Sequence, residues 1–453
     1  MKKKKRIHPY ALIFLSFVGV ILLGTLFLAL PYASTTGKSM GFVDALFMST
    51  SSVCVTGLGV VNPSTDLTVF GQIVMIVLIE VGGLSFITIA VFFFTILGAR
   101  IGVGSTFMLR EALNQSSANG VVTLVRKIIV ISFTIQLICA AINLIPIIKI
   151  TNGDWSDAIL MTIYHSAASF NNAGFDIFPG SNSMIDYADN IILNVTTIVM
   201  IVLGGIGFVV IDDCLRHRRW SKLSLHTKLT LVLTLMLITI GTLLIKATDS
   251  EVSWLQSLFT SVTCRTAGFA TFDMATLSNK TATYLICIIL MMIGASSCST
   301  GGGVKTSTFG IILITIWYYA MGKKSKAFKR SISDSQMVKA FVLLNVAILV
   351  VVFYTIVIAI VQSATGPDIS FQELFFEVVS AFSTTGLTMG VTSSLSSWNR
   401  VILCTLMLFG RVGPLTVIGV VNQNWMADFK EPIRYPEESV IIGWKKSFLW
   451  LLV

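Results

Sequence analysis

Charge is scarce in this sequence. Only 12% of its 453 residues are Asp, Glu, Lys or Arg and 54% are hydrophobic, against a charged share of ~25% in soluble domains, which excludes an ordinary soluble enzyme. Cysteine pairs are lacking too. Cys54, Cys139, Cys214, Cys264, Cys287, Cys298 and Cys404 form no C-x-x-C pair and mostly lie in apolar segments, so neither a disulfide framework nor a zinc site is indicated. Paired acids and Cys/His clusters are missing, and the stretch from Gly301 to Thr306 lacks the G-x-x-x-x-G-K-[ST] spacing of a phosphate loop, which argues against an enzyme. The chain contains no nucleotide-binding domain of its own.

What is present is apolar length. Tyr10 to Leu30, Ile191 to Ile211 and Phe341 to Val361 each reach the ~20 residues that cross a bilayer as a helix. The sequence predicts an all-α polytopic membrane protein. A net charge of +10 raises the question of nucleic acid, but the basic residues sit in short clusters between apolar runs and read as topology signals. The first run follows Lys2 to Arg6 and precedes a weak cleavage-like stretch from Ala29 to Ser34. A secretory signal is the alternative there; the run exceeds a signal core and matches a spanning helix, so Met1 is expected to be retained, in the cytoplasm.

Four times the chain repeats a long apolar span, a shorter apolar stretch, a small glycine loop and another span. The loops are Val55-Thr56-Gly57-Leu58, Asn172-Ala173-Gly174-Phe175, Thr266-Ala267-Gly268-Phe269 and Thr384-Thr385-Gly386-Leu387. A second glycine signal follows inside each next span, at Gly82-Gly83, Gly204 to Gly207, Gly294 and Gly410 to Gly413. The stretches before the loops (Phe42 to Val53, Trp155 to Phe170, Trp254 to Cys264, Phe371 to Phe382) are too short or too polar to span, as in re-entrant segments. This predicts eight spans and four re-entrant pore helices around a central pore. The approximate spans are 10–30, 69–97, 121–148, 190–211, 228–248, 281–321, 337–362 and 400–421. The units are repeat 1 over 1–100, repeat 2 over 101–220, repeat 3 with an intramembrane gate loop over 221–330, repeat 4 over 331–425, and a cytoplasmic tail over 426–453.

Charge supports this topology, since Lys and Arg collect on the cytoplasmic side. Of the 32 basic residues, 24 fall in predicted inner segments and five (Lys38, Lys149, Lys246, Lys280, Arg400) in outer loops. Thirteen acids lie outside, Asp44, Asp176, Asp249, Glu251 and Glu377 among them. They form either a vestibule that concentrates cations or the plain complement of basic residues within.

Non-helical backbone at membrane depth is tolerated only where it is buried in protein or lines a cavity. Four such loops imply a shared pore, whose carbonyls replace an alkali cation's hydration shell. Close helix packing at small residues is the bland alternative. The sixth span is too long for one crossing and Gly/Ser-rich from Gly294 to Gly303. It predicts an unwound loop between two half-helices, with a kinked helix as the alternative.

The four loops, the broken span from Ile293 to Thr306 and the late Phe409-Gly410-Arg411-Val412-Gly413-Pro414 together resemble the Trk/Ktr/HKT superfamily of potassium transporters, most of all the bacterial Ktr membrane (pore) subunit. The likeness covers nearly the whole chain. It implies potassium uptake across the cell membrane, no covalently bound cofactor, a homodimer with one pore per subunit, and a cytosolic nucleotide-binding regulatory ring. It further implies a potassium filter at Val55, Thr56, Gly57, Asn172, Ala173, Gly174, Thr266, Ala267, Gly268, Thr384, Thr385 and Gly386. The implied gate comprises Gly294, Ser296, Ser297, Ser299, Thr300, Gly301, Gly302, Gly303, Lys305 and Arg411. Glycine in every filter loop, Gly57 included, goes in that family with potassium preference.

Ionisable residues within spans are functional candidates. Arg411 is expected to face the pore or to anchor on carbonyls. Lys305 either caps the loop or snorkels to the cytoplasm. Glu80 lines the cavity, pairs with a cation or sits near water. Arg265 is expected behind the filter, paired with an acid such as Glu377, and His165 reads as a packing residue. Of the basic cytoplasmic loops, 216–228 reads as topology charge and 323–330 as a partner-docking segment. The tail from Val440 to Val453 is expected on the membrane or in a dimer contact, with both termini cytoplasmic. A sodium- or proton-coupled carrier is the competing function. All four units run in one orientation, however, and Glu80 is nearly the only acid available for coupling.

Overall fold

The computed structural model describes residues 9–85, 88–89, 121–180, 182–413 and 416. The described chain is almost entirely helical: α1 (Pro9–Leu28), α2 (Phe42–Cys54), α3 (Val69–Leu84), α4 (Val121–Ile150), α5 (Trp155–Phe170), α6 (Ile191–Gly205), α7 (Phe208–Arg216), α8 (Leu225–Thr248), α9 (Trp254–Thr263), α10 (Thr281–Met292), α11 (Thr306–Ala320), α12 (Asp334–Thr365), α13 (Phe371–Ser383) and α14 (Ser397–Val412). A two-residue hairpin pairs Lys326–Ala327 with Arg330–Ser331.

Among the described residues α1, α4, α8 and α12 are each long and apolar enough to cross a membrane. This makes the chain a multi-pass membrane protein. The expected span 190–211 is not one straight helix: α6 and α7 meet at 92°. Gly207 makes the corner, with φ of 98° and a position where a Cβ would lie 2.6 Å from the Ser297 carbonyl oxygen. The expected span 281–321 is broken into α10 and α11, as its glycine content predicts. Spans 69–97 and 400–421 run past the described residues. The basic residues from Lys2 to Arg6, Arg100, Arg110, Lys430, Arg434, Lys445 and Lys446 and the tail 426–453 also lie outside them.

Polar signatures start three of the four short helices. Asp154 caps α5 through the Ser156 and Asp157 N–H groups. Ser253 with Gln256 and Ser370 with Glu373 close capping boxes at α9 and α13. At 13 residues, α2 and α13 extend only ~20 Å, well short of a ~30 Å hydrocarbon core. Each short helix packs between its own outer helix and the inner helix of the preceding triplet: α3 on α5, α6 on α9, α10 on α13, and α14 back on α2. The last contact closes the four triplets into a ring.

Glycine sets the depth of that packing. Gly82, Gly204 and Gly410 each abut a carbonyl near the C-terminus of a short helix, those of Val53, Phe170 and Phe382, so tightly that a Cβ would overlap the oxygen. The three carbonyl residues all lie four positions before a loop glycine, at Gly57, Gly174 and Gly386. The third triplet departs from this pattern: Gly294 meets the Gly302 carbonyl instead, because the chain there leaves the helix and folds back.

Candidate functional site

The four glycine loops meet at the centre of the ring. Each follows the C-terminus of a short helix, and each has positive φ at its first and third residues. The values are 56° and 93° at Val55 and Gly57, 59° and 70° at Asn172 and Gly174, 83° and 84° at Thr266 and Gly268, and 51° and 89° at Thr384 and Gly386. Alternating handedness turns successive carbonyls toward one side, where a strand would alternate them. Val55, Thr266 and Thr384 are β-branched, so this geometry is strained and must be held by its surroundings. The loop glycines abut one another in cyclic order, leaving no room for a side chain. A Cβ on Gly57 would sit 2.5 Å from the Ala173 carbonyl oxygen and 3.2 Å from the Cα atoms of Gly174 and Gly386. On Gly174 it would sit 2.7 Å from the Ala267 oxygen; on Gly268 it would strike the Thr385 oxygen, and on Gly386 the Thr56 oxygen.

Backbone donors fix the loops from behind. The Thr56, Ala173, Ala267 and Thr385 N–H groups donate to the carbonyls of Ser51, Ala168, Thr263 and Ser380. Gly57 N–H donates to Ser51 Oγ at 3.2 Å and Gly386 N–H to Ser380 Oγ at 3.0 Å. Six loop N–H groups are thereby taken up around the centre of the ring. The C-terminal ends of four helices also converge there, and their partial negative charge favours a cation. Sequence reading missed Ser51 and Ser380; their position six residues before the first and fourth loop glycines is the signal that could have found them.

A loop from Ile293 to Lys305 lies directly against this ring. Gly301 abuts Thr266, and Gly302 N–H donates to Thr384 Oγ1 at 3.0 Å, so the loop touches the first residues of the third and fourth glycine loops. The second triplet holds it through Ser296 N–H to the Gly205 carbonyl (3.0 Å), Thr300 N–H to Gly204 (3.3 Å) and Phe208 N–H to Cys298 (2.9 Å). A one-pair bridge between Ile293 and Val304 closes its neck. Ser297 Oγ and Ser307 Oγ lie 3.1 Å apart, and Ser299 Oγ donates to the Ser296 carbonyl. Gly303 takes φ of 69°. Lys305 caps the loop, Nζ donating to the Gly301 carbonyl at 2.7 Å, which decides between the two roles open for it in the sequence. Arg411 donates to the Thr300 carbonyl and, through Nη2, to those of Gly82 (2.5 Å) and Gly83 (3.0 Å). It thereby ties the loop to α3 and α14.

Arg265 corrects an expectation. It is buried behind the ring, as foreseen, but it is not paired with Glu377. Its Nη2 donates to Thr306 Oγ1 at 3.0 Å, and that hydroxyl donates onward to the Gly294 carbonyl at 2.9 Å, so one guanidinium braces both ends of the loop. Glu377 instead accepts from Thr392. Glu80 stands in α3 with the amides of Asn171 and Gln136 beside its carboxyl, and its Oε2 has no hydrogen-bond partner among the described residues. His165 packs as expected, against Phe178 and Phe269, with Nε2 2.8 Å from Thr197 Oγ1. The outer acids are not all open to solution. Asp44 pairs with Arg400 at 2.5 Å, and Lys280 bridges Asp249 (2.7 Å) and Glu251 (2.9 Å). Asp176, two residues beyond Gly174, is without an ion pair among the described residues; burial pushes its carboxyl up to about 6.

Comparison with known proteins agrees with this architecture. A family model described as a cation transport protein, TrkH, matches residues 13–228 and 220–424. The chain is 36% identical over 451 residues to the Ktr system potassium uptake protein B of Bacillus subtilis (97% of each chain). It is also 36% identical to the potassium/sodium uptake protein NtpJ of Enterococcus hirae, over 98% of this chain and 99% of that one. The crystal structure of the potassium transporter TrkH from Vibrio parahaemolyticus superposes with a TM-score of 0.70 at 19% identity, covering 94% of this chain and 87% of that one. The chain belongs to the TrkH family of cation transport proteins.

Proposed function

We propose that this protein takes up potassium across the cell membrane through a channel-like pore on the axis of the glycine ring. The observation that carries the reading is the cyclic contact of Gly57, Gly174, Gly268 and Gly386, which sets four carbonyl-bearing loops around one point. In this reading the chain has eight spans and four pore helices in units 1–100, 101–220, 221–330 and 331–425, with the tail 426–453 and both termini cytoplasmic. The filter comprises the first three residues of each loop. The gate is the segment from Gly294 to Lys305 together with Arg411, which lies against the ring and is clamped from three triplets.

The protein works as a homodimer with a cytosolic nucleotide-binding ring. The exposed basic hairpin around Lys326 and Arg330 suits such a partner, and Phe328 packs edge-on to Trp220, joining the two basic loops. Replacing Gly57 by Ser tests the filter. The added Cβ meets backbone 2.5 Å away at a φ of 93°, so the ring must deform. Potassium over sodium selectivity in proteoliposomes should fall by about tenfold or more, ~1.4 kcal/mol of differential binding; unchanged selectivity with full flux rejects the assignment. A sodium- or proton-coupled mechanism is the second reading, supported by the unpartnered Glu80 Oε2. It requires that Glu80→Gln abolish dependence of uptake on the coupling ion.

A further inference from the structure

Behind the third glycine loop, between α6, α8 and α9, lies a cavity lined by Arg265, Thr234, Ile201, Val202, Ile238 and Val262, among others. We propose that it holds one small monovalent anion, a halide, as the counter-ion of Arg265. Arg265 is only 7% exposed, and among the described residues the single hydrogen bond of its guanidinium goes to a neutral hydroxyl, that of Thr306. No described carboxylate pairs with it, and Nε has no partner. A buried charge left in that condition is costly.

The cavity offers about 20 Å³ to the centre of a water-sized particle, more than the ~10–15 Å³ that one water requires. Thr234, 6% exposed, brings a second polar atom without a partner, Oγ1. The remaining side chains named are aliphatic. A water could accept from Arg265 Nε and donate to Thr234 Oγ1, but it would leave the charge of the guanidinium uncancelled. A halide accepts from both and cancels the charge. Sulfate and phosphate are too large for a space of this size.

The anion also has a consequence for transport, which rests on the potassium-pore reading above. Arg265 lies three residues before Gly268, so uncompensated charge there opposes a cation in the ring, and the anion removes that opposition. Binding itself does not depend on that reading and is tested without any flux measurement.

Equilibrium dialysis of the purified full-length protein against radioactive chloride should retain about one ion per chain, displaced by bromide and not by sulfate. Thr234→Val keeps the side-chain volume and the fold but loses the hydroxyl; it should weaken retention about tenfold, the worth of one hydrogen bond to a charged group. Arg265→Gln should abolish it. Crystals grown in bromide should give an anomalous peak between Arg265 Nε and Thr234 Oγ1. No specific chloride, retention undiminished in both variants, or a bromide peak elsewhere would each overturn the proposal.

Discussion

At Arg411 one guanidinium donates to three backbone carbonyls from two distant segments, Thr300 in the loop and Gly82 and Gly83 in α3. In the proposed pore a fixed charge there would act both as a barrier and as a latch. At an effective dielectric of ~20, a unit charge ~6 Å from a potassium ion contributes about 3 kcal/mol, roughly a hundredfold in rate. Arg411→Ala removes the barrier and the clamp on Thr300 together, so initial potassium uptake per folded protein should rise by about ten- to a hundredfold. A rate at or below wild type in well-folded protein rejects the barrier. In the proposed pore, Asp176 should give a pH dependence. With its carboxyl up to about 6, it is charged above that pH and neutral below. A unit charge ~8 Å from an ion at an effective dielectric of ~40 is worth about 1 kcal/mol. Uptake at low potassium should therefore fall about fivefold as external pH drops from 7 to 5, and Asp176→Asn should flatten the profile; a profile identical to wild type removes Asp176 as its origin.

At the scale of elements, the break between α10 and α11 is held partly by hydrogen bonds of its own, among them Ser299 Oγ to the Ser296 carbonyl and Lys305 Nζ to the Gly301 carbonyl. Its neck rests on one bridge pair and on the relay from Arg265 through Thr306 to Gly294. Its other contacts are with neighbouring elements, and in the proposed gate their release would let the segment move without unfolding the helices that flank it. Deleting Ser296 to Gly302 should raise basal uptake and weaken its dependence on the proposed regulatory partner, measured in proteoliposomes with and without that partner. A folded deletion protein with wild-type uptake and regulation counts against a gate.

For the whole molecule, closure of the ring joins residues at opposite ends of the sequence. α14 packs on α2, and outside them Arg400 grips Asp44 while also donating to the Ser393 carbonyl at 2.7 Å. Both side chains are partly exposed, so the pair contributes only about 1 kcal/mol. Asp44→Asn should lower the thermal midpoint in detergent by a few degrees and leave ion selectivity unchanged; a selectivity change would mean that the outer clasp sets the width of the ring.

Periodicity and punctuation determined much of this protein on their own. Four glycine loops in register, apolar runs of bilayer length, short stretches that cannot span and a glycine-rich break in an over-long segment are local features, and each follows from backbone freedom or transfer free energy that one stretch of chain carries by itself. The 92° corner at Gly207, the left-handed Val55, Thr266 and Thr384, and the anchoring of Gly57 and Gly386 on Ser51 and Ser380 are not local in that sense. They exist because four triplets press together and leave each loop one conformation. The partner of Arg265 was decided only by folding. Which hydroxyl or carboxylate a buried guanidinium meets depends on segments 41 residues or more apart coming to one place, and no spacing in the sequence encodes that meeting.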